Sequence, residues 1–212
     1  MRSFFCRKFI LVLLLWTTLS PWIMGQQAGT VPGKGLFTMA VFDSSFEKAL
    51  YKGSLDISKH HLTGLFYLKK VSENSVRVVF SNEMGMTFFD LEIKNDKLIV
   101  HSIFPSMNKS SLLKLLRSDF RLLMVPDTTV KKSKQAASDD SGSILFKIKS
   151  ARGSFYYTYD KLTDRISRIR TSGAIMGKTD LQVTRDSRLQ PKKIEIANPV
   201  IGLHIQMTFL GN

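Results

Sequence analysis

Cysteine is almost missing from these 212 residues, with Cys6 the single example. A lone thiol excludes an internal disulfide framework and any paired-cysteine redox or zinc centre. Histidine is scarce as well, with four in all. His60-His61 is an adjacent pair in a turn, and in a strand its two rings would point to opposite faces. His101 and His204 stand alone inside predicted strands. Without a third ligand at a usual spacing, no metal site is expected. Ser141-Gly142 and Ser172-Gly173 lack the flanks of a nucleophile elbow. Asp139-Asp140 reads as solvated loop charge, and no second carboxylate pair suggests acid–base work. There is no glycine-rich phosphate cradle and no repeat of twenty to fifty residues. The chain is therefore expected to be no enzyme and to need no cofactor.

Long apolar runs are missing too, with one exception. Arg2, Arg7 and Lys8 precede an apolar stretch from Phe9 to about Trp16, which continues loosely through Ile23 and Met24 to Gly25. This is the layout of a secretory signal peptide, too short and interrupted for a membrane span. Residues 1–25 are read as that signal, with cleavage expected between Gly25 and Gln26. Ile23 is larger than an ideal site prefers, so an uncleaved amino-terminal anchor is the alternative. Cleavage removes Cys6 and both tryptophans, Trp16 and Trp22. Acids are outnumbered, 17 Asp and Glu against 31 Lys and Arg, for a net charge of +14. Losing Arg2, Arg7 and Lys8 and no acid brings +14 down to +11. In an exported chain such charge suits anionic lipid headgroups, lipopolysaccharide or an acidic partner better than nucleic acid. A solvated, solubilising surface is the plainer reading.

What the chain does have is alternation. Residues 26–34 carry Gly and Pro without periodicity and read as an unstructured lead-in. Gly35 to Phe42 is expected to form a first strand or short helix. Beyond it Ala49, Tyr51, Gly53, Leu55 and Ile57 share one face, as do Leu62, Gly64, Phe66 and Leu68. Val76, Val78 and Phe80 follow, then Phe89 and Leu91, then a strand over Leu98 to Ile103. The separators Ser58 to His61, Ser72 to Ser75 and Lys94 to Lys97 are turn-forming, so consecutive strands pair antiparallel. Asn108 to Met124 switches to helical spacing, with Leu112, Leu113, Leu116, Phe120, Leu123 and Met124 as an apolar stripe beside Lys109, Lys114, Arg117, Asp119 and Arg121. Asn108 or Ser110 can cap it and Pro126 ends it. Residues 127–143 are polar, Lys131, Lys132 and Lys134 among them, and read as a flexible loop. Strands resume with Ile144, Phe146 and Ile148, then Phe155, Tyr157 and Tyr159, and run on to Leu203, Ile205, Met207 and Phe209. Ten or eleven strands exceed what a flat sheet tolerates, so residues 35–212 are expected to form one mainly β domain curled into a half-open antiparallel barrel.

The hairpin Val76 to Leu91 is the unusual feature, because Met84 and Met86 sit where a turn is normally polar. The run Arg77 to Leu91 resembles the segment of the bacterial lipoprotein-localisation factors, closest to LolB, in which an Asn-Pro-Leu-Gly turn follows a strand. Asn82-Glu83-Met84-Gly85 stands at that turn, with Met84 at the protruding leucine and Glu83 in place of proline. The Gly-containing strand Thr63 to Leu68, the Leu-rich helix Ser110 to Met124 and the end, with Pro191 before Ile194-Glu195-Ile196, follow in the same order. The resemblance to the LolA/LolB-like superfamily implies a half-barrel of strands with a helical lid around a cavity for acyl chains. It further implies a non-enzymatic periplasmic carrier or acceptor of lipidated proteins, associated with the outer membrane. This chain departs from LolB in lacking a lipidated amino-terminal cysteine, and a soluble monomer would be more like LolA.

On that reading Tyr51, Leu55, Phe66, Leu68, Val78, Phe80, Phe89, Leu91, Phe146, Tyr157, Leu203 and Ile205 line the acyl-binding side. Leu116, Phe120 and Leu123 face them from the lid, and Met84 and Met86 form a membrane-inserting tip. Rival readings keep the fold and carry another apolar ligand such as a glycolipid, or fill the curled sheet with its own side chains to make an envelope interaction module. An envelope hydrolase comes last.

Overall fold

The computed structural model describes residues 41–42, 45–124, 132–138, 142–150, 153–173 and 178–211. The expected signal peptide, the expected lead-in and most of the expected element Gly35 to Phe42 lie outside these residues. Twelve strands follow in chain order: β1 (Lys48–Ile57), β2 (His60–Ser72), β3 (Ser75–Ser81), β4 (Thr87–Lys94), β5 (Lys97–Ile103), β6 (Lys132–Ser138), β7 (Ser143–Ser150), β8 (Gly153–Asp160), β9 (Arg165–Ser172), β10 (Asp180–Arg185), β11 (Pro191–Asn198) and β12 (Leu203–Gly211). A short 3-10 turn, Pro105–Met107, and one helix, α1 (Ser110–Met124), separate β5 from β6.

All twelve strands belong to one antiparallel sheet in the order β5-β4-β3-β2-β1-β12-β11-β10-β9-β8-β7-β6. The two meanders, β1–β5 and β6–β12, are joined where the last strand pairs with the first, Leu55 opposite Ile205. The sheet does not close, since β5 and β6 are its two edges. This is a curled half-barrel with one helix, as the alternation predicts, with one strand more than expected. The extra strand is β6, inside the stretch read as a flexible loop. It pairs with β7, Lys132 opposite Lys149, and its polar composition gives no period-2 signal to find.

Sharp curl is built in at a glycine pair. Gly53 and Gly64 face each other across β1 and β2. A Cβ on either would stand 2.0 Å from a carbonyl oxygen, that of Gln206 or Ser81. Only glycine lets the strands approach so closely there.

The helix lies inside the curl. Leu112, Leu115, Leu116, Phe120, Leu122 and Leu123 are buried, on a stripe with helical spacing. Arg117 donates to the Asp96 carbonyl at 3.2 Å and Arg121 pairs with the Asp96 carboxylate at 3.3 Å, fixing α1 to the β4–β5 turn. At its far end the Leu123 carbonyl accepts from the backbone N–H groups of Val41 and Phe42, at 3.1 and 3.4 Å. Val41 and Phe42, expected within a strand or helix, instead form a buried bend against this helix end. Two further corrections concern the helix faces. Asp119 and Arg121, placed beside the apolar stripe by the sequence pattern, are buried, and Leu113, placed on it, is only half-buried.

Candidate functional site

Two features of the half-barrel bear on function, its concave face and its hairpin tip. Along β2, β3 and β4 three inward aromatics sit opposite one another among aliphatic residues, Phe66 against Phe80 and Phe80 against Phe89. Phe66 and Phe80 stack with centroids 4.1 Å apart, and Phe120 of α1 closes on Phe66 and Phe89 at 6.4 and 6.1 Å. Each such ring contributes roughly 1.5–3 kcal/mol by burial, with offset pairs adding about 1 kcal/mol. Tyr51, Leu55, Phe66, Leu68, Val78, Phe80, Phe89, Leu91, Tyr157, Leu203 and Ile205 are all buried in one hydrophobic cluster with Leu116, Phe120 and Leu123 of the helix. Phe146 differs, since it packs against that cluster while half-buried, as does Ile144 beside it on β7.

A cavity of about 330 Å³ opens where β1 meets the β10–β11 turn. Phe42, Phe46, Tyr51 and Phe209 supply its apolar wall, and Lys48, Arg185 and Arg188, with Glu47 among them, its charged one. Of the residues expected to line an acyl site, Tyr51 is the one on this wall. Its hydroxyl donates to the Pro191 carbonyl at 3.1 Å. Burial raises its pKa well above the usual phenol range, and the nearby Arg185 charge offsets part of that rise. Arg185 donates to the carbonyls of Leu189, Val41 and Ile166, at 3.0, 2.7 and 3.4 Å. It thereby ties the Val41 bend, and through it the end of α1, to the sheet.

A second cavity, about 380 Å³, lies by the short β9–β10 pairing and is lined by Tyr156, Arg170, Thr171, Ser172, Lys178, Thr179, Asp180 and Pro199. Behind it is a buried polar group that the sequence pattern did not reveal. Thr179 donates its hydroxyl to Asp119 at 2.8 Å and accepts from the Asn198 amide at 3.2 Å, and its backbone N–H reaches the Thr171 hydroxyl at 3.0 Å. The second carboxylate oxygen of Asp119 is buried without a hydrogen-bond partner among the described residues. Desolvation pushes this carboxyl up to about 7, against the lowering effect of the Thr179 bond. A signal existed, because position 119 continues the 112, 115, 116, 120, 123 stripe and so faces inward. Among the described residues, no group of three or more His, Cys, Asp or Glu could hold a metal ion. His61 and His204 instead approach Asp56, and His101 pairs with Glu92 at 3.0 Å.

The β3–β4 hairpin tip is ordered yet apolar. Asn82 accepts at its side-chain oxygen from the backbone N–H groups of Met84 and Met86, at 3.1 and 2.8 Å, and Gly85 takes a φ of 87°. Glu83 reaches the Lys52 ammonium at 2.9 Å, and that hydrogen bond holds its carboxyl below the usual range. Met84 is left 93% exposed and Met86 43% exposed. An adaptable thioether held in water on a fixed turn is the opposite of core packing.

No protein-family model matches the sequence, and no curated protein matches it either. Solved structures do. A LolA superfamily protein from Nitrosomonas europaea superposes with a TM-score of 0.59 at 10% identity, over 82% of this chain and 89% of that one. A DUF1329 family protein from Desulfovibrio piger gives a TM-score of 0.49 at 9% identity, over 82% and 89%. The fold of this chain is LolA/LolB-like, the architecture that the strand order and hairpin suggested. Among the described residues no helix is long and apolar enough to cross a membrane.

Proposed function

We propose that this protein is a non-enzymatic periplasmic carrier or acceptor that takes the acyl chains of lipidated proteins into its half-barrel and meets the membrane through Met84. The observation that carries the reading is Met84 itself, apolar, 93% exposed and held on an ordered turn. The LolA-like fold and the apolar concave face support it. Transfer of an acyl chain out of water gains about 0.8 kcal/mol per CH₂, so a chain of about a dozen groups gains on the order of 10 kcal/mol before ordering costs. A carrier also has to release its cargo, which suits half-buried residues such as Phe146 better than a close fit.

Native mass spectrometry of protein purified without detergent tests the cargo, and a bound mass corresponding to acylated peptide or lipid is expected. A discrete mass of another apolar compound would redirect the reading to a different ligand, for which Lys48, Arg185 and Arg188 on the charged wall could receive an anionic head. The bare protein mass alone would favour an interaction module with a self-filled core. For the tip, Met84→Glu is expected to reduce transfer of lipidated protein to membranes several-fold while leaving the melting temperature unchanged. Undiminished transfer would remove Met84 from the mechanism.

A further inference from the structure

The tip is not the only apolar turn at its end of the sheet. Because the strands are antiparallel and consecutive, the turns β3–β4, β1–β2 and β11–β12 emerge side by side at one end, in that order. Turns two strands apart are about 10 Å apart, so the first and third are separated by about 20 Å along the curl. The β1–β2 and β11–β12 turns are joined directly, the Ser58 N–H donating to the Gly202 carbonyl at 3.3 Å.

The β11–β12 turn is built like the tip. Asn198 accepts at its side-chain oxygen from the Val200 N–H at 3.2 Å, and Gly202 takes a φ of 67°. Val200, two residues after its asparagine as Met84 is after Asn82, is left 67% exposed, with Ile201 exposed beside it. Both turns are already ordered, so burying their side chains costs little further conformational freedom.

Exposed apolar turns alone do not mark this end, because Leu162 on the β8–β9 turn at the opposite end is 94% exposed. The first end sets two such turns side by side, with cations in the turns around them. Among the described turn residues, that end carries Lys59, Lys109 and Lys178 against one acid, Glu83, which is bridged to Lys52. At the opposite end the turn acids Glu47, Glu73, Asp96, Asp164 and Asp186 stand among Lys161, Arg188 and the strand-terminal Lys48, Lys94, Lys97, Arg165 and Arg185, with Asp96 paired to Arg121 and Glu73 to Lys70. The strand-borne acids nearest the first end, Asp56 and Asp180, approach His61 and Arg168. An anionic surface thus meets turn-borne lysines beside both apolar turns of the first end.

We propose that the β11–β12 turn is a second bilayer contact, Val200 and Ile201 entering the interface of an anionic membrane alongside Met84, with Lys59 between them at headgroup level. The sheet then docks end-on, through two apolar turns. This rests on the membrane reading of Met84 and extends it to a surface.

Site-specific labelling tests the surface in the full chain. In a Cys6→Ser background, an environment-sensitive fluorophore is attached at Val200→Cys, at Met84→Cys and at Leu162→Cys. Vesicles of phosphatidylethanolamine and phosphatidylglycerol are then added. The labels at 200 and 84 should shift to the blue and brighten several-fold, and high salt should weaken the response. The label at 162 should keep its spectrum in water. A response at 84 with none at 200 overturns the second contact and leaves the single-tip reading standing. Equal responses at 200 and 162 overturn the end-on geometry. A response at 200 in protein that carries no acyl mass upholds the surface while removing the carrier.

Discussion

The two flanks of the sheet are built differently, although both alternate apolar and polar residues. On β2–β4 every inward aromatic is fully buried, and α1 supplies the facing ring, Phe120. On β7 Ile144 and Phe146 stay half-buried, although Ile148 on the same face and Phe155, Tyr157 and Tyr159 on β8 are buried, and Phe146 meets the Tyr159 ring edge-on at 6.4 Å. One helix covers one flank of a curled sheet. The difference teaches that packing is uneven across the molecule, close where Phe120 meets β2–β4 and looser at Ile144 and Phe146 beside the β6 edge.

The sharpest way to break this comparison is to truncate matched aromatics on the two flanks. Phe66→Ala should cost about 4 kcal/mol, because it removes a fully buried ring together with its contacts to Phe80, Phe89 and Phe120. Urea unfolding followed by circular dichroism measures it. A loss near 1 kcal/mol would mean that the first flank is no better packed than the second.

Asp119 lies at the seam, where α1 meets β10, and it sharpens the comparison through pH. Its folded pKa of about 7 is above the ordinary carboxylate value of 3.8. Such a group binds its proton more tightly when folded, so its favourable contribution is complete below about pH 4 and is lost as pH rises toward 7. Glu92 works in the other direction, its pKa lowered by hydrogen bonds from Ser75 and His101, so raw stability curves mix the two effects. The difference between the native chain and Asp119→Asn isolates the first. The variant should gain about 2 kcal/mol relative to the native chain between pH 4 and pH 8, a tenfold change in proton affinity being worth about 1.4 kcal/mol and local relaxation absorbing part of the total. Parallel melting curves with no pH-dependent gap would mean that the seam relaxes enough to hydrate the carboxylate.

Much of this was legible before any coordinates. Period-2 alternation pointed to ten or eleven strands because each buries one face, and turn chemistry such as Asn95-Asp96, both at positive φ, marked the reversals. The helix was legible for the same reason. β6 was not, since a polar edge strand has neither a buried face nor a period. Asp119 was misread because its charge outweighed its position on the stripe. The candidate lining residues were found as inward residues, but alternation reports only that a side chain leaves water. It does not separate Phe66, enclosed by its own rings, from Phe146, which is half open, because that depends on where the helix lies.

Of the two aromatic truncations, the smaller expected change in stability therefore belongs to the residue with the larger expected change in binding. Phe146→Ala removes a half-buried ring opposite Tyr157 on β8, so it should cost about 1 kcal/mol, well short of a full core truncation. Its effect on cargo should run the other way, because a wall that the helix does not cover is where an acyl chain can replace water. Native mass spectrometry of the variant, purified without detergent beside Phe66→Ala and the native chain, should find the bound mass reduced several-fold for Phe146→Ala. For Phe66→Ala the molecules that remain folded should keep it. If Phe146→Ala retains its full complement of cargo, the β7–β8 flank is not the binding wall, and the difference in burial between the flanks reflects folding alone.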